Sequence, residues 1–284
     1  MIIKNTPFKR VTIIGVGLMG GSLGLALKKR GLAREVVGLA YRQSSLVQAI
    51  KNKAIDVAFT DPQKAVRNSD MVILAAPVDS IIKILPTIAP HIKRGCVVTD
   101  VGSTKSEIVE TGEKVLPVPG FFVGAHPLVG SEKKGADYSS ADLFEGGTCI
   151  MTPTEATNQI AKEKVKYLWT KVGSKVCIVT PEKHDEILAY VSHLPHLLAY
   201  GLIDVIPQEF LEYGSTGLKD TTRIASSSPQ IWNDICLANS KNVIKSLDET
   251  IKRLGEIRNS ILNSDDKGLL ALFTKAKEKR DGLQ

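Results

Sequence analysis

The stretch Val11-Thr-Ile-Ile-Gly15-Val-Gly17-Leu-Met-Gly20 runs from an apolar strand directly into Gly-x-Gly-x-x-Gly and on into an apolar helix. Few folds accommodate that order. Gly15 permits a tight turn at the strand end, Gly17 lets the backbone approach a pyrophosphate, and Gly20 allows the helix to pack close to the strand. The helix N-terminus then directs unpaired N–H groups and the positive end of its dipole at a phosphate. A second strand at Glu35–Leu39 completes a dinucleotide-binding βαβ unit of the Rossmann type. Leu18 and Met19 inside the loop are assigned to the cofactor with the three glycines. Ala76 and Pro77, just beyond a strand at Met71–Ala75, are assigned to it as well.

The end of the second strand ordinarily carries an acidic residue that binds the ribose 2′-hydroxyl of NAD. Here that place is Ala40, followed by Tyr41-Arg42-Gln43-Ser44-Ser45. A guanidinium and hydroxyls suit a 2′-phosphate, so Tyr41, Arg42 and Ser44 are read as cofactor-binding and NADP is favoured over NAD. With Arg42 as a solvated loop residue, NAD or both cofactors would serve.

From Val11 to about Ile178, short β-rich runs alternate with amphipathic ones, the pattern of a parallel sheet covered by helices. The expected strands are Val11–Ile14, Glu35–Leu39, Met71–Ala75, Val97–Asp100, Phe121–Ala125, Thr148–Met151 and Val176–Ile178. After Thr180-Pro181 the strand signals stop and the rest reads as helix. The expected architecture is α/β, a Rossmann-like NAD(P)-binding domain over 1–180 and an all-α substrate and dimerisation domain over 181–284. In the second, Ile244, Leu247, Ile251, Leu254 and Ile261 recur at mostly helical spacing. Such a stripe is either core or a face buried against a second subunit, and a homodimer is expected.

Composition removes several classes. Apolar residues make up 43% and charged residues 24% of the 284, the profile of an ordinary globular protein. The formal net charge is +7, but Lys and Arg are spread thinly and few aromatics lie among them, which favours an anionic small molecule over nucleic acid as partner. The dense runs Lys28–Arg30 and Lys275–Arg280 read as solvated helix ends. The four cysteines lack any Cys-x-x-Cys pair, so neither zinc nor disulfides are indicated and a reducing cytoplasm is expected. Lys4, Asn5, Lys9 and Arg10 interrupt any export signal. Ile187–Ile206 has the length of a bilayer span, yet His193, Pro195, His196 and Asp204 point to a helix buried in protein, not to a membrane.

Further polar segments gather where strands or helices end. Asp100-Val-Gly102-Ser103-Thr-Lys105 follows a strand at the carboxyl edge where open α/β sheets bind ligands. Ser103 there either caps the next helix or presents its hydroxyl to a substrate. His126 stands at the end of another strand, before the charged loop Gly130-Ser131-Glu132-Lys133. With a pKa near its ordinary value of about 6.5 it is placed to serve as a general base. In the helical half lie Ser192-His193-Leu194-Pro195-His196 and Lys219-Asp220-Thr-Thr222-Arg223.

In this order, together with Gly124-x-His126-Pro127 and Ser228-Pro229-x-x-Trp232, these blocks make the chain resemble the prephenate and arogenate dehydrogenases of tyrosine biosynthesis over essentially its whole length. The resemblance implies oxidative decarboxylation of prephenate or arogenate. Hydride leaves the ring carbon bearing the hydroxyl for NAD(P), and carbon dioxide departs as the ring aromatises. It implies His126 as the base for the hydroxyl proton and Ser103 as a hydrogen-bond partner of that hydroxyl or of His126. Arg223 would clamp a substrate carboxylate, and His196, with His193 nearby, would meet the side-chain end, leaning toward prephenate. Glu132 either pairs with Arg223 at the entrance or is a solvated surface residue. A chain ending near 284 leaves no room for an added regulatory domain, so feedback by tyrosine would act at the active site. A 3-hydroxyacid-type dehydrogenase would need a catalytic lysine in the helical half, and Lys183, Lys219 and Lys241 do not fit that pattern. A non-catalytic NADP sensor would not need His126 or Arg223.

Overall fold

The computed structural model describes residues 8–129 and 135–283. Its centre is an eight-stranded sheet of order β3-β2-β1-β4-β5-β6-β7-β8. The strands are β1 (Phe8–Ile14), β2 (Ala33–Leu39), β3 (Val57–Phe59), β4 (Met71–Leu74), β5 (Val97–Asp100), β6 (Phe122–Pro127), β7 (Thr148–Thr152) and β8 (Lys175–Ile178). β4 and β5 are buried at every position, as strands covered on both faces must be. Helices α1 (Leu18–Lys29), α2 (Gln43–Lys51) and α6 (Gln159–Lys171) contribute Leu23, Leu27, Leu46, Val165 and Trp169 to one core layer. Helices α3 (Pro62–Val66), α4 (Val78–Ile88) and α5 (Ser106–Val115) supply Val66, Ile81, Leu85 and Ile108 to the other. Each such buried side chain contributes on the order of 1.5–3 kcal/mol, so this sandwich is a rigid platform for whatever sits on its carboxyl edge.

The sheet departs from the expected parallel pattern at β7, which pairs antiparallel with β6, His126 facing Ile150. A parallel partner needs a crossover, usually a helix. The β6–β7 connection has none among its described residues, only one short 3₁₀ turn at Ala136–Tyr138. This connection folds back over α1: Arg30 donates to the Ala141 carbonyl at 2.8 Å and pairs with Asp142 and Glu145, and Lys29 also pairs with Asp142. Lys28 pairs with Asp56. Lys28–Arg30 is therefore a helix end tied to neighbouring segments, not merely a solvated one. The expected strands omit β3, whose three residues carry too little pattern to be read.

Beyond β8 the chain is helical: α7 (Pro181–Leu188), a π-turn at Ala189–His193, α8 (Leu194–Asp204), α9 (Thr216–Thr222), α10 (Pro229–Ala238), α11 (Ser240–Leu262) and α12 (Asp266–Asp281). The span read as one helix over Ile187–Ile206 is thus the end of α7, the π-turn and most of α8. Pro195 explains the break: it lacks an N–H and its ring crowds the carbonyl one turn back, so the ladder widens there. No helix among the described residues is long and apolar enough to cross a membrane. On α11 the stripe of Ile244, Ile251, Leu254 and Ile261 is more than half exposed in the single chain.

Candidate active site

A cavity of about 400 Å³ opens at the carboxyl edge of the sheet, where α10 leans over the glycine loop. Its floor is Gly17, Leu18 and Met19; one wall is Ala76 and Pro77 beyond β4. Gly15 adopts φ +96°, and a Cβ there would lie 2.2 Å from the Ala75 carbonyl oxygen. At Gly17 a Cβ would meet no protein atom within 4 Å. No side chain caps α1. Open space over Gly17 and an uncapped helix N-terminus fit a pyrophosphate. Tyr41, Arg42 and Ser44 are all exposed at the start of α2, within the segment that follows β2.

Opposite the glycine loop the cavity is lined by Gly102, Ser103 and His126. Ser103 does not cap α5, which begins at Ser106, so its hydroxyl is left for the cavity. Behind them Asp100 and Lys105 form an ion pair with both side chains fully buried. Asp100 also accepts from the Gly102 amide at 2.8 Å and the Ala125 amide at 3.1 Å, while Lys105 Nζ donates to the Ala125 carbonyl at 3.1 Å. One buried pair thus fastens the Ser103 loop to the strand that carries His126.

His126 Nδ1 lies 2.9 Å from His184 Nε2, and His184 Nδ1 lies 2.8 Å from Asp185 Oδ1. The Asp185 carboxylate accepts from the Lys105 and Ser106 amides at 2.7 and 2.8 Å, joining α7 to the start of α5. The expectation of an ordinary His126 pKa does not hold: enclosure by protein, with His184, Lys105 and His193 nearby, pushes it well below 6.5. The imidazole is neutral at neutral pH, as a base must be before it acts. His184 and Asp185 were not singled out in the sequence. Their only signal is an adjacent His-Asp pair in the first turns after Thr180-Pro181, and nothing in it points 58 residues back to His126.

From the helical half, Trp232 and Ser227 line the cavity. His196 stacks on Trp232 with centroids 3.6 Å apart and donates from Nδ1 to the Ser192 carbonyl at 2.9 Å. His193 is buried, edge-on to Trp232, with Nδ1 3.2 Å from Asn239 Nδ2; burial lowers its pKa to about 4. The structure brings His126, Ser103 and the glycine loop to one cavity, with His196 and His193 one ring behind its wall. Arg223 is not brought in: it is exposed on a 3₁₀ turn, Arg223–Ser226, whose following residue Ser227 lines the cavity. Glu132 lies outside the described residues.

Comparison with known proteins converges on one family. Residues 23–178 match the model of the prephenate dehydrogenase nucleotide-binding domain, and residues 180–275 that of the prephenate dehydrogenase dimerization domain. Prephenate dehydrogenase of Bacillus subtilis is 34% identical over 96% of this chain and 76% of its own. Cyclohexadienyl dehydrogenase of Zymomonas mobilis is 32% identical over 98% and 97%. The crystal structure of Aquifex aeolicus prephenate dehydrogenase in complex with hydroxyphenyl propionate and NAD+ superposes with a TM-score of 0.92 at 33% identity, covering 99% of this chain and 100% of that one. A histidine at the sheet's carboxyl edge, a glycine loop and a helical second half in one cavity, matched along nearly the whole length, place this chain in the prephenate dehydrogenase family of NAD(P)-dependent oxidoreductases.

Proposed function

We propose that the chain oxidises and decarboxylates prephenate to 4-hydroxyphenylpyruvate, with His126 as the base. The observation that carries this reading is the shared cavity of His126, Ser103 and the Gly17 loop: an imidazole kept neutral by its surroundings stands on the strand edge where the dinucleotide is bound. The nicotinamide supplies the hydride acceptor. Ser103 orients the ring hydroxyl and His126 takes its proton, a step worth on the order of 10²–10⁴ in rate. Arg223, exposed on the turn just before Ser227, is assigned to clamp a substrate carboxylate, as its bidentate fork suits. His196 and His193, which pack against the Trp232 ring that lines the cavity, are assigned to the side-chain end of the substrate.

One observation favours a second substrate. With Nδ1 of His196 donating to the Ser192 carbonyl and burial lowering its pKa, the neutral ring offers a lone pair at Nε2. That lone pair accepts from the ammonium of arogenate more readily than it serves the ketone of prephenate, the reverse of the lean toward prephenate read from His196 in the sequence, so activity on both is expected.

The cofactor preference rests on Arg42 and Ser44 beside Ala40, and NADP is the reading they support. The uncovered stripe on α11 supports a homodimer through the helical half, and four free cysteines suit a reducing cytoplasm. The test is steady-state turnover with each substrate against each cofactor. Prephenate oxidation with NADP preferred is expected. Replacing Arg42 by Ala should raise the KM for NADP by about 10–100-fold, the loss of a charge-assisted contact, and leave that for NAD unchanged. Equal KM values for both cofactors in both proteins would reject the preference, and no reduced cofactor with either substrate would reject the function.

A further inference from the structure

We propose that His184 and Asp185 are positioning residues for the reaction: they lock His126 in the tautomer whose Nε2 is free to take a proton, and they share the positive charge while that proton is held. The inference rests on the oxidative decarboxylation proposed above. A carboxylate can only accept, so the 2.8 Å contact between Asp185 Oδ1 and His184 Nδ1 puts the hydrogen on His184 Nδ1. Asp185 is ionised: burial alone would raise its pKa, but the hydrogen bonds from His184 and Ser106 hold it below its ordinary value. Neutral His184 therefore presents the Nε2 lone pair, and His126 Nδ1, 2.9 Å away, must be the donor. What is left on His126 is an unprotonated Nε2, on a ring that lines the cavity. The logic is that of the Ser-His-Asp triad with a second imidazole inserted.

The charges around His126 leave this role to Asp185. Burial, a charged His184, Lys105 and His193 all disfavour an imidazolium there, and the other buried carboxylate among the described residues, Asp100, is engaged by Lys105 and two backbone amides. The proton balance sets how long the charge must be carried. His126 Nε2 takes the hydroxyl proton as the ring carbon gives up its hydride. When the bond to the leaving carboxylate breaks, its electron pair enters the ring and the same oxygen recovers the proton from His126. No net proton leaves the site, so the imidazolium has to be held between the two steps, and Asp185 reaches it through His184.

The test combines spectra and kinetics on the full chain loaded with NAD(P). The protein has five histidines, so ¹⁵N-labelled imidazoles can be assigned one by one. His126 is expected to carry hydrogen on Nδ1 and none on Nε2; a proton on Nε2 would overturn the proposal. In Asp185→Asn a single amide oxygen cannot serve both the Lys105 and His184 donors on Oδ1 and the Ser106 amide on Oδ2, so either way an NH₂ faces a donor, and the negative charge that reaches His126 through His184 is lost. A fall in kcat of about 10²–10⁴-fold is expected, by analogy with the triad aspartate, with substrate KM changed less than about threefold, because transition-state stabilisation alone is lost. His184→Gln keeps an acceptor for His126 Nδ1 but severs the link to Asp185, so its kcat should fall less, by about tenfold, with the His126 tautomer retained. Unchanged kcat in either variant would overturn the proposal. If Asp185→Asn does not fold, the unsubstituted spectrum and His184→Gln still decide. If the unsubstituted protein turns over neither substrate, the functional reading fails, while the spectrum still decides the tautomer.

Discussion

Replacing Lys105 by Met tests whether the buried ion pair beneath the cavity builds the site. Met keeps an unbranched stem in a position with no exposed side-chain surface but removes the ammonium. Asp100 would then retain only the Gly102 and Ala125 amides as partners. Removing one partner of a buried pair typically costs about 3–5 kcal/mol, because the remaining charge stays buried without compensation. That is a large share of the roughly 5–15 kcal/mol that holds a domain folded. At about 2–4 °C per kcal/mol for a domain of 150–250 residues, Tm should fall by about 6–20 °C. The double variant Asp100→Asn, Lys105→Met buries no net charge and should recover at least about half of the loss, since residues in direct contact are strongly non-additive. Urea midpoints and calorimetry on Lys105→Met, Asp100→Asn and the double variant measure the cycle, and kcat should fall in Lys105→Met because Ser103 and His126 share that anchor. A loss below about 1 kcal/mol in Lys105→Met, or a double variant as unstable as the two single losses added, would refute the reasoning.

Acid stability has a definite sign. Burial holds His126 and His184 below 6.5, and His193 at about 4, so between about pH 6.5 and 4 the unfolded chain binds protons that the folded one refuses. Tm should be level above about pH 7 and fall as the pH drops through that window; a Tm that rises on acidification would contradict the burial of these rings. Ile251→Glu combined with Leu254→Glu places two charges on the uncovered face of α11, and sedimentation should show the dimer of the unsubstituted protein converted to monomer. A monomeric unsubstituted protein would dismiss that face as an interface.

Much of the fold was legible because its signals are local. The Val11–Gly20 run combines apolar strand, glycine spacing and apolar helix in ten consecutive positions, and the loop it specifies is the one observed, with Gly15 at positive φ. The reversal of β7 was not legible, because strand direction is set by whether the connecting segment crosses the sheet, and a connection held by Arg30 and Lys29 to Asp142 and Glu145 carries no periodic pattern. At the site, Ser103 and His126 announce themselves by standing at strand ends. His184 and Asp185 do not, since a His-Asp step on a helix acquires meaning only when packing places it against His126. The depressed pKa of His126 was invisible for the same reason: burial and the nearness of His184 and Lys105 are properties of tertiary structure. Pro195 could have warned of the π-turn, because a proline one turn into a helix always removes a donor.

The central claim is that one cavity performs an oxidation and a decarboxylation with His126 as the base. It is tested most directly by measuring carbon dioxide and reduced nicotinamide together, in single turnovers of the unsubstituted chain and of His126→Asn with prephenate. Equal molar yields of the two products are expected from the unsubstituted chain. In His126→Asn near-complete loss of both is expected while prephenate still binds. Reduced cofactor without carbon dioxide, or a His126→Asn variant that turns over at the unsubstituted rate, would contradict it.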